Sequence, residues 1–145
     1  MKQSILYLFL AVLVIVFVPK NDAHIHSVTN TSETPIKVTL STHGDRNKCR
    51  ESATSLVHPG NTFSRGKHKD DRFCQLSKIQ VVTPHNNKLS ATIGSDRNQA
   101  IEQNSKRYAM AETKWEFDGT TLKAVEGVLC VDPSNSTDIV MFNDN

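Results

Sequence analysis

The stretch YAMAETKWEFDGTTLKAV, Tyr108 to Val125, admits few folds. Ala109, Ala111, Thr113, Trp115 and Phe117 recur at every second position, so an extended chain carries them on one face. A helix would scatter the same residues around its circumference. Asp118-Gly119 follows at once and suits the two-residue type I′ turn of a tight hairpin. That turn sets Trp115 opposite Leu122 and Thr113 opposite Ala124, which gives a coherent buried side. It also sets Lys114 opposite Lys123, a small cost if both are solvated.

Shorter versions of the same pattern fill the chain from residue 24 onward. IHSVTN and PIKVTLS alternate with period two on either side of the turn-rich TSET. Pro59-Gly60 marks a reversal between two short strands in TSLVHPGNTFS. FCQLSKIQVV carries apolar residues on both faces, TPHNN is a turn, KLSATIG is another strand, and GVLCVD and DIVMF close the chain. SDRNQAIEQNSKR alone has helical character, a turn or two with Ser95 as N-cap. The expectation is an all-β domain with little or no helix. A small β-sandwich of short antiparallel strands fits best, with a β-trefoil as the alternative.

Residues 1–23 stand apart from that domain. Lys2 precedes a continuous apolar run from Ile5 to Val18, Pro19 and its polar neighbours break the run, and Ala23 offers a small residue for cleavage. This is the pattern of a secretory signal peptide, and the run is short for a membrane span. Cleavage leaves residues 24–145 as a single domain without a transmembrane anchor, secreted or periplasmic. Three cysteines then meet an oxidising compartment: one bridge with one free thiol, or an intermolecular pair. Cys49 with Cys74 is the favoured disulfide; its loop of about 25 residues contributes on the order of 3 kcal/mol in the chain-entropy account. Cys130, inside an apolar run, is expected to act as a small buried hydrophobe.

Charge is divided unevenly. Residues 24–107 hold 13 basic and 7 acidic side chains, and residues 108–145 hold 2 and 7. Paired strands from the two regions would largely cancel this, and the basic residues never form an arm or stripe, so no nucleic-acid partner is expected. SRGKHKDDRF, with Arg65, Lys67, His68 and Lys69 followed by Asp70 and Asp71, reads as a solvated loop.

Two groups of residues have chemical potential. Cleavage after Ala23 would start the mature chain at His24-Ile25-His26. A terminal amine, two backbone amides and a third-position histidine match the square-planar nitrogen geometry of Cu(II). The amine and ring of a first-position His24, with one further ring from His43, His58, His68 or His85, also resemble the histidine brace of copper-dependent polysaccharide oxygenases. That resemblance implies copper as a cofactor. At the other end, KWEFDGTTLKAVEGVLCVDPSNSTDIVMFNDN is similar to part of a ricin-type lectin repeat: a tryptophan strand, a glycine turn, a Cys-Val-Asp segment and an aromatic strand end. The similarity spans about 30 residues, whereas a trefoil needs three such repeats. It implies a carbohydrate site in which Asp132 binds sugar hydroxyls, Phe142 stacks, and Asn143 adds a polar contact.

Catalytic signatures such as G-x-S-x-G and H-E-x-x-H do not occur, nor does a phosphate-cradling glycine loop. Asn30-Thr-Ser32 and Asn135-Ser-Thr137 fit the N-glycosylation sequon. The functional expectation is an exported, non-enzymatic binding module for a protein or glycan surface outside the cytosol. The loops Ser64 to Asp71 and Thr83 to Lys88 are its contact candidates, since loops carry recognition on such scaffolds. A lectin-like module and a copper protein are the alternatives.

Overall fold

A computed structural model describes residues 24–44, 49, 52–66 and 74–141; the expected leader lies outside these. The elements are β1 (His26–Asn30), β2 (Ile36–His43), β3 (Ala53–Val57), β4 (Thr62–Arg65), β5 (Gln75–Val82), β6 (Lys88–Thr92), α1 (Arg97–Glu102), β7 (Arg107–Phe117), β8 (Thr121–Cys130) and β9 (Ile139–Val140). Five strands form one sheet in the order β4-β1-β7-β8-β9, and four form the other in the order β3-β2-β5-β6. Val28, Trp115, Phe117 and Leu122 from the first sheet share a buried cluster with Ile36, Val38, Leu40, Ile79 and Val81 from the second. This is the expected sandwich. Two open sheets leave no place for the threefold arrangement of the trefoil alternative. One pairing departs from the antiparallel expectation: β1 runs parallel to β7.

The short turns do not all make hairpins. TSET carries the chain from β1 in one sheet to β2 in the other, and Pro59-Gly60 carries it back from β3 to β4. Asn30 explains both crossings. Its fully buried side chain donates from Nδ2 to the Thr34 carbonyl at 2.8 Å and to the Val57 carbonyl at 2.9 Å. Its Oδ1 accepts from the Ser32 amide and hydroxyl, and its main chain bonds Gly60 and Asn61. One amide therefore fixes the exit of β1 and the end of β3 together. A buried amide with every polar group paired favours a single arrangement. A glycan on this sequon would take one of the two Nδ2 hydrogens and has no room at a fully buried side chain, whereas Asn135 lies exposed in a turn.

The β7–β8 hairpin forms, but in another register. Phe117 faces Leu122, Trp115 faces Ala124, and Glu116 faces Lys123, two residues from the expected alignment. The Asp118 side chain is the cause. Its Oδ1 accepts from the amides of Thr120 at 3.0 Å and Thr121 at 2.8 Å, so the reversal centres on Gly119-Thr120. These same amides hold the Asp118 carboxyl below its ordinary pKa. A two-residue slip keeps every side chain on its face, so Trp115 and Phe117 stay inside. It also replaces the expected Lys114–Lys123 opposition with Glu116–Lys123, and a further register shift between Lys114 and Trp115 brings Lys114 to Glu126 in an ion pair at 3.2 Å. The helix differs by one residue: Asp96, not Ser95, is the N-cap, accepting from the Gln99 amide at 2.8 Å. Ser95 instead bonds the Gln99 side chain through its amide and hydroxyl.

Farther along the hairpin the register shifts between Ala109–Val128 and Lys114–Glu126, with extra residues on β7. Ala111, expected on the buried face, is exposed in this bulge. Gly127 permits it. Its φ is +82°, and a Cβ there would lie 1.7 Å from the Glu112 carbonyl oxygen. Gly119 also has positive φ, yet a Cβ there would meet only the Ser32 Cβ, at 3.7 Å. Gly119→Ala should therefore cost about 1–2 kcal/mol of backbone strain. Gly127→Ala, which must also move the main chain, should cost about 3 kcal/mol or more. Urea denaturation measures both; equal losses would remove the bulge's steric role.

Candidate functional site

Five expected positions, His24, His26, Cys49, Cys74 and Asp132, can be followed into the fold. His26 has no exposed surface. Its Nε2 lies 3.1 Å from the Cys74 carbonyl and its Nδ1 lies 2.9 Å from the Thr113 hydroxyl. A carbonyl only accepts, so Nε2 carries the proton and Nδ1 accepts from Thr113. The Thr113 oxygen in turn accepts from Trp115 Nε1 at 3.0 Å. The result is a continuous chain from Trp115 through Thr113 and His26 to Cys74. Desolvation lowers the His26 pKa to about 4, opposed by the Cys74 bond and assisted by His24 and Arg65. A metal on His26 would have to displace Thr113 or Cys74. Among the described residues, no group of three His, Cys, Asp or Glu side chains converges on one point. His24 is only half-buried, beside this node.

Cys49 and Cys74 form the expected disulfide, with their Cα atoms 5.5 Å apart. Cys130 remains a free thiol and is only half-buried, at the end of β8 opposite Arg107. Asp132 is exposed in the turn after β8, where the Ser134 amide bonds its carboxylate at 3.0 Å and lowers its pKa. Phe142 and Asn143, the other members of the sugar-binding expectation, lie outside the described residues. So does most of the basic loop, residues 67–73. Arg65 departs from the solvated-loop reading: it ends β4, is 6% exposed, and donates from Nη1 to the Leu40 carbonyl of the opposite sheet at 2.8 Å.

A feature outside the expected sites lies where the sandwich is open. β6 and β9 are edge strands of the two sheets, and between them runs a groove of about 660 Å³. Lys88, Leu89 and Ser90 line it from β6, Asp138, Ile139 and Val140 from β9 and the turn before it, and Arg107 from β7. Arg107 Nη2 donates to the Asp138 main-chain carbonyl at 3.2 Å, while its buried Nε meets no hydrogen-bond acceptor among the described residues. The described residues place no carboxylate within salt-bridge distance of Arg107 or Lys88. Two cations and one acid thus line the groove, with Leu89 and Ile139, both largely buried, at its base. The position of Arg107 has a sequence signal: it shares the odd-numbered parity of Ala109, Thr113, Trp115 and Phe117, so it is a charge on the inward face of β7.

Fold and groove together define a small disulfide-linked β-sandwich with a cationic cleft at one edge. No protein-family model matches this chain, and neither the curated proteins nor the solved structures contain a match.

The His26 chain generates a pH prediction. Native His26 is neutral down to about pH 4, whereas an unfolded histidine takes up its proton near pH 6.5. The unfolded state therefore binds more protons between these values, and stability falls as pH drops through that window, then levels off below it. The loss should approach about 3 kcal/mol. His26→Gln should be less stable at pH 7 and should lack this increment. Urea midpoints at pH 7.5 and 4.5 measure it; a variant with the wild-type pH dependence would assign the acid sensitivity elsewhere.

Proposed function

We propose that the chain is an exported, non-enzymatic β-sandwich that recognises a protein partner through the groove between β6 and β9. Export is supported by the apolar leader from Ile5 to Val18 and by the Cys49–Cys74 bridge, which suits an oxidising compartment. Among the described residues no helix is long and apolar enough to cross a membrane. The observation that carries the recognition reading is the groove itself, with the largely buried Leu89 and Ile139 at its base and with Arg107 and Lys88 paired with no carboxylate among the described residues. Concave apolar surface with a few directed polar groups is how specific sites are built. Lys88 also ends the Thr83 to Lys88 segment, one of the loops expected to make contacts, and a tight turn with Asn86 at positive φ presents it.

The test exposes the purified secreted protein to phage-displayed random dodecapeptides and, in parallel, to an immobilised glycan panel. Peptide capture should fall about tenfold or more in Lys88→Glu and Arg107→Gln, the range expected for charges that contact a partner directly. His85→Ala, in the same loop but outside the groove, should bind as wild type does. Glycan retention that disappears in Asp132→Ala would replace this reading with the lectin one. Peptide capture indifferent to both groove variants would remove the groove as the site.

A further inference from the structure

We infer that the groove's occupant is an extended peptide segment bearing an acidic side chain, which pairs with β6 as an added strand. This rests on the groove reading above and goes on to specify the chemistry of the partner and its mode of attachment.

The free edge can be read from the hydrogen bonds that flank β6. Thr83 N bonds Asn87 O at 3.0 Å, and Ile93 N bonds Ser77 O at 2.7 Å. Between them the register pairs Val81 with Leu89 and Ile79 with Ala91. Hydrogen-bonded and non-hydrogen-bonded positions alternate along an antiparallel pair. Leu89 and Ala91 therefore direct their amides and carbonyls toward β5. Lys88, Ser90 and Thr92 direct theirs away from the sheet, along an edge that no other strand among the described residues covers. Met141 N bonds Thr120 O at 2.7 Å, and Ile139 faces Leu122, so by the same alternation Val140 presents its main chain away from β8. The groove thus has main-chain donors and acceptors along one wall, a further pair on the other, and Leu89 and Ile139 on its floor.

An incoming strand satisfies these requirements. Its backbone pairs with Lys88, Ser90 and Thr92, and its alternate residues point inward. One inward residue covers Leu89 and Ile139; its neighbour two positions along reaches Arg107. Arg107 and Lys88 outnumber Asp138, so an acidic side chain fits that second position. A carboxylate there accepts charge-assisted hydrogen bonds from the guanidinium, which the Asp138 carbonyl engages only through Nη2. A sugar has no repeated amide pattern with which to meet the β6 edge, and a neutral peptide leaves both cations unpaired.

The experiment takes the dodecapeptides enriched on the wild-type secreted protein. Alternating apolar residues with a Glu or Asp at one inward position are expected. Amide exchange followed by NMR should slow at Lys88, Ser90 and Thr92 when the synthetic peptide binds, with β3, the far edge, unchanged. Replacing the peptide's acid by its amide should weaken binding about tenfold or more. Lys88→Glu, at an exposed position that leaves the fold intact, should weaken it comparably. Circular dichroism checks that Arg107→Gln is folded before its loss of binding is counted. Arg107-dependent binding without slowed exchange at the three amides would sink strand addition and leave the groove reading standing. Binding indifferent to Lys88→Glu and Arg107→Gln would sink both. Selection of peptides without an acid, or of no peptide family, overturns the proposal. Slowing of the same amides that rises with protein concentration alone would assign the edge to a second copy of this chain.

Discussion

A single chain of hydrogen bonds, from Trp115 through Thr113 and His26 to the Cys74 carbonyl, ties this sandwich together. Trp115 and Thr113 belong to β7, His26 to β1, and Cys74 immediately precedes β5 in the opposite sheet. Apolar packing between layers is tolerant of sliding; a buried imidazole with both nitrogens engaged is not. It fixes the parallel register of β1 on β7, where His26 stands opposite Thr113. It also holds the backbone at Cys74, which the bridge to Cys49 ties to the segment after β2. Burial keeps the ring neutral, and the chain is complete only with a neutral ring. Rigidity and acid sensitivity thus have one origin.

Asn30 extends the same logic to the far end of β1. The inward face of that strand reads His26, Val28, Asn30, so two of its three buried residues are polar. Each is satisfied by partners from other elements. β1 is therefore positioned at both ends by directional bonds and in the middle by Val28. A strand of five residues would otherwise be weakly specified between β4 and β7.

Much of this was legible in the sequence, and what was hidden had a common cause. Period-two alternation located the strands because burial of one face demands it, and the cysteine spacing pointed to the correct bridge. Turn signals showed where the chain reverses, not which sheet receives it: Pro59-Gly60 looks the same whether the next strand pairs or crosses over. Asp118-Gly119 predicted the hairpin but not its register, because the Asp118 carboxylate is free to cap the amides beyond it. Ala111 was misplaced for a similar reason, since a bulge held by Gly127 depends on a contact with the other strand. His26, read as a potential copper ligand, became a core residue because Thr113 and Cys74 are distant in sequence. Arg107 was discernible by parity alone, as a charge on an apolar face.

The two sides of the sandwich are closed by different means, and this explains why the groove lies where it does. On the β3–β4 side the chain itself passes between the layers through residues 58–61, with Asn30 pinning the crossing. Hydroxyl pairs across exposed strands, Thr29 with Thr62 and Thr39 with Thr54, reinforce that side. On the opposite side β6 leads away into α1, while β9 is reached only after the turns beyond β8, so among the described residues no crossing joins the two edges. An open pair of edges invites indiscriminate pairing. Here β9 has only two residues, β6 has five, and Lys88 stands at the start of the longer one. Shortness and charge reject long apolar strands, while Arg107 leaves the inner wall receptive to an acid. In the proposed strand addition, the same devices that discourage indiscriminate pairing set the selectivity of the edge.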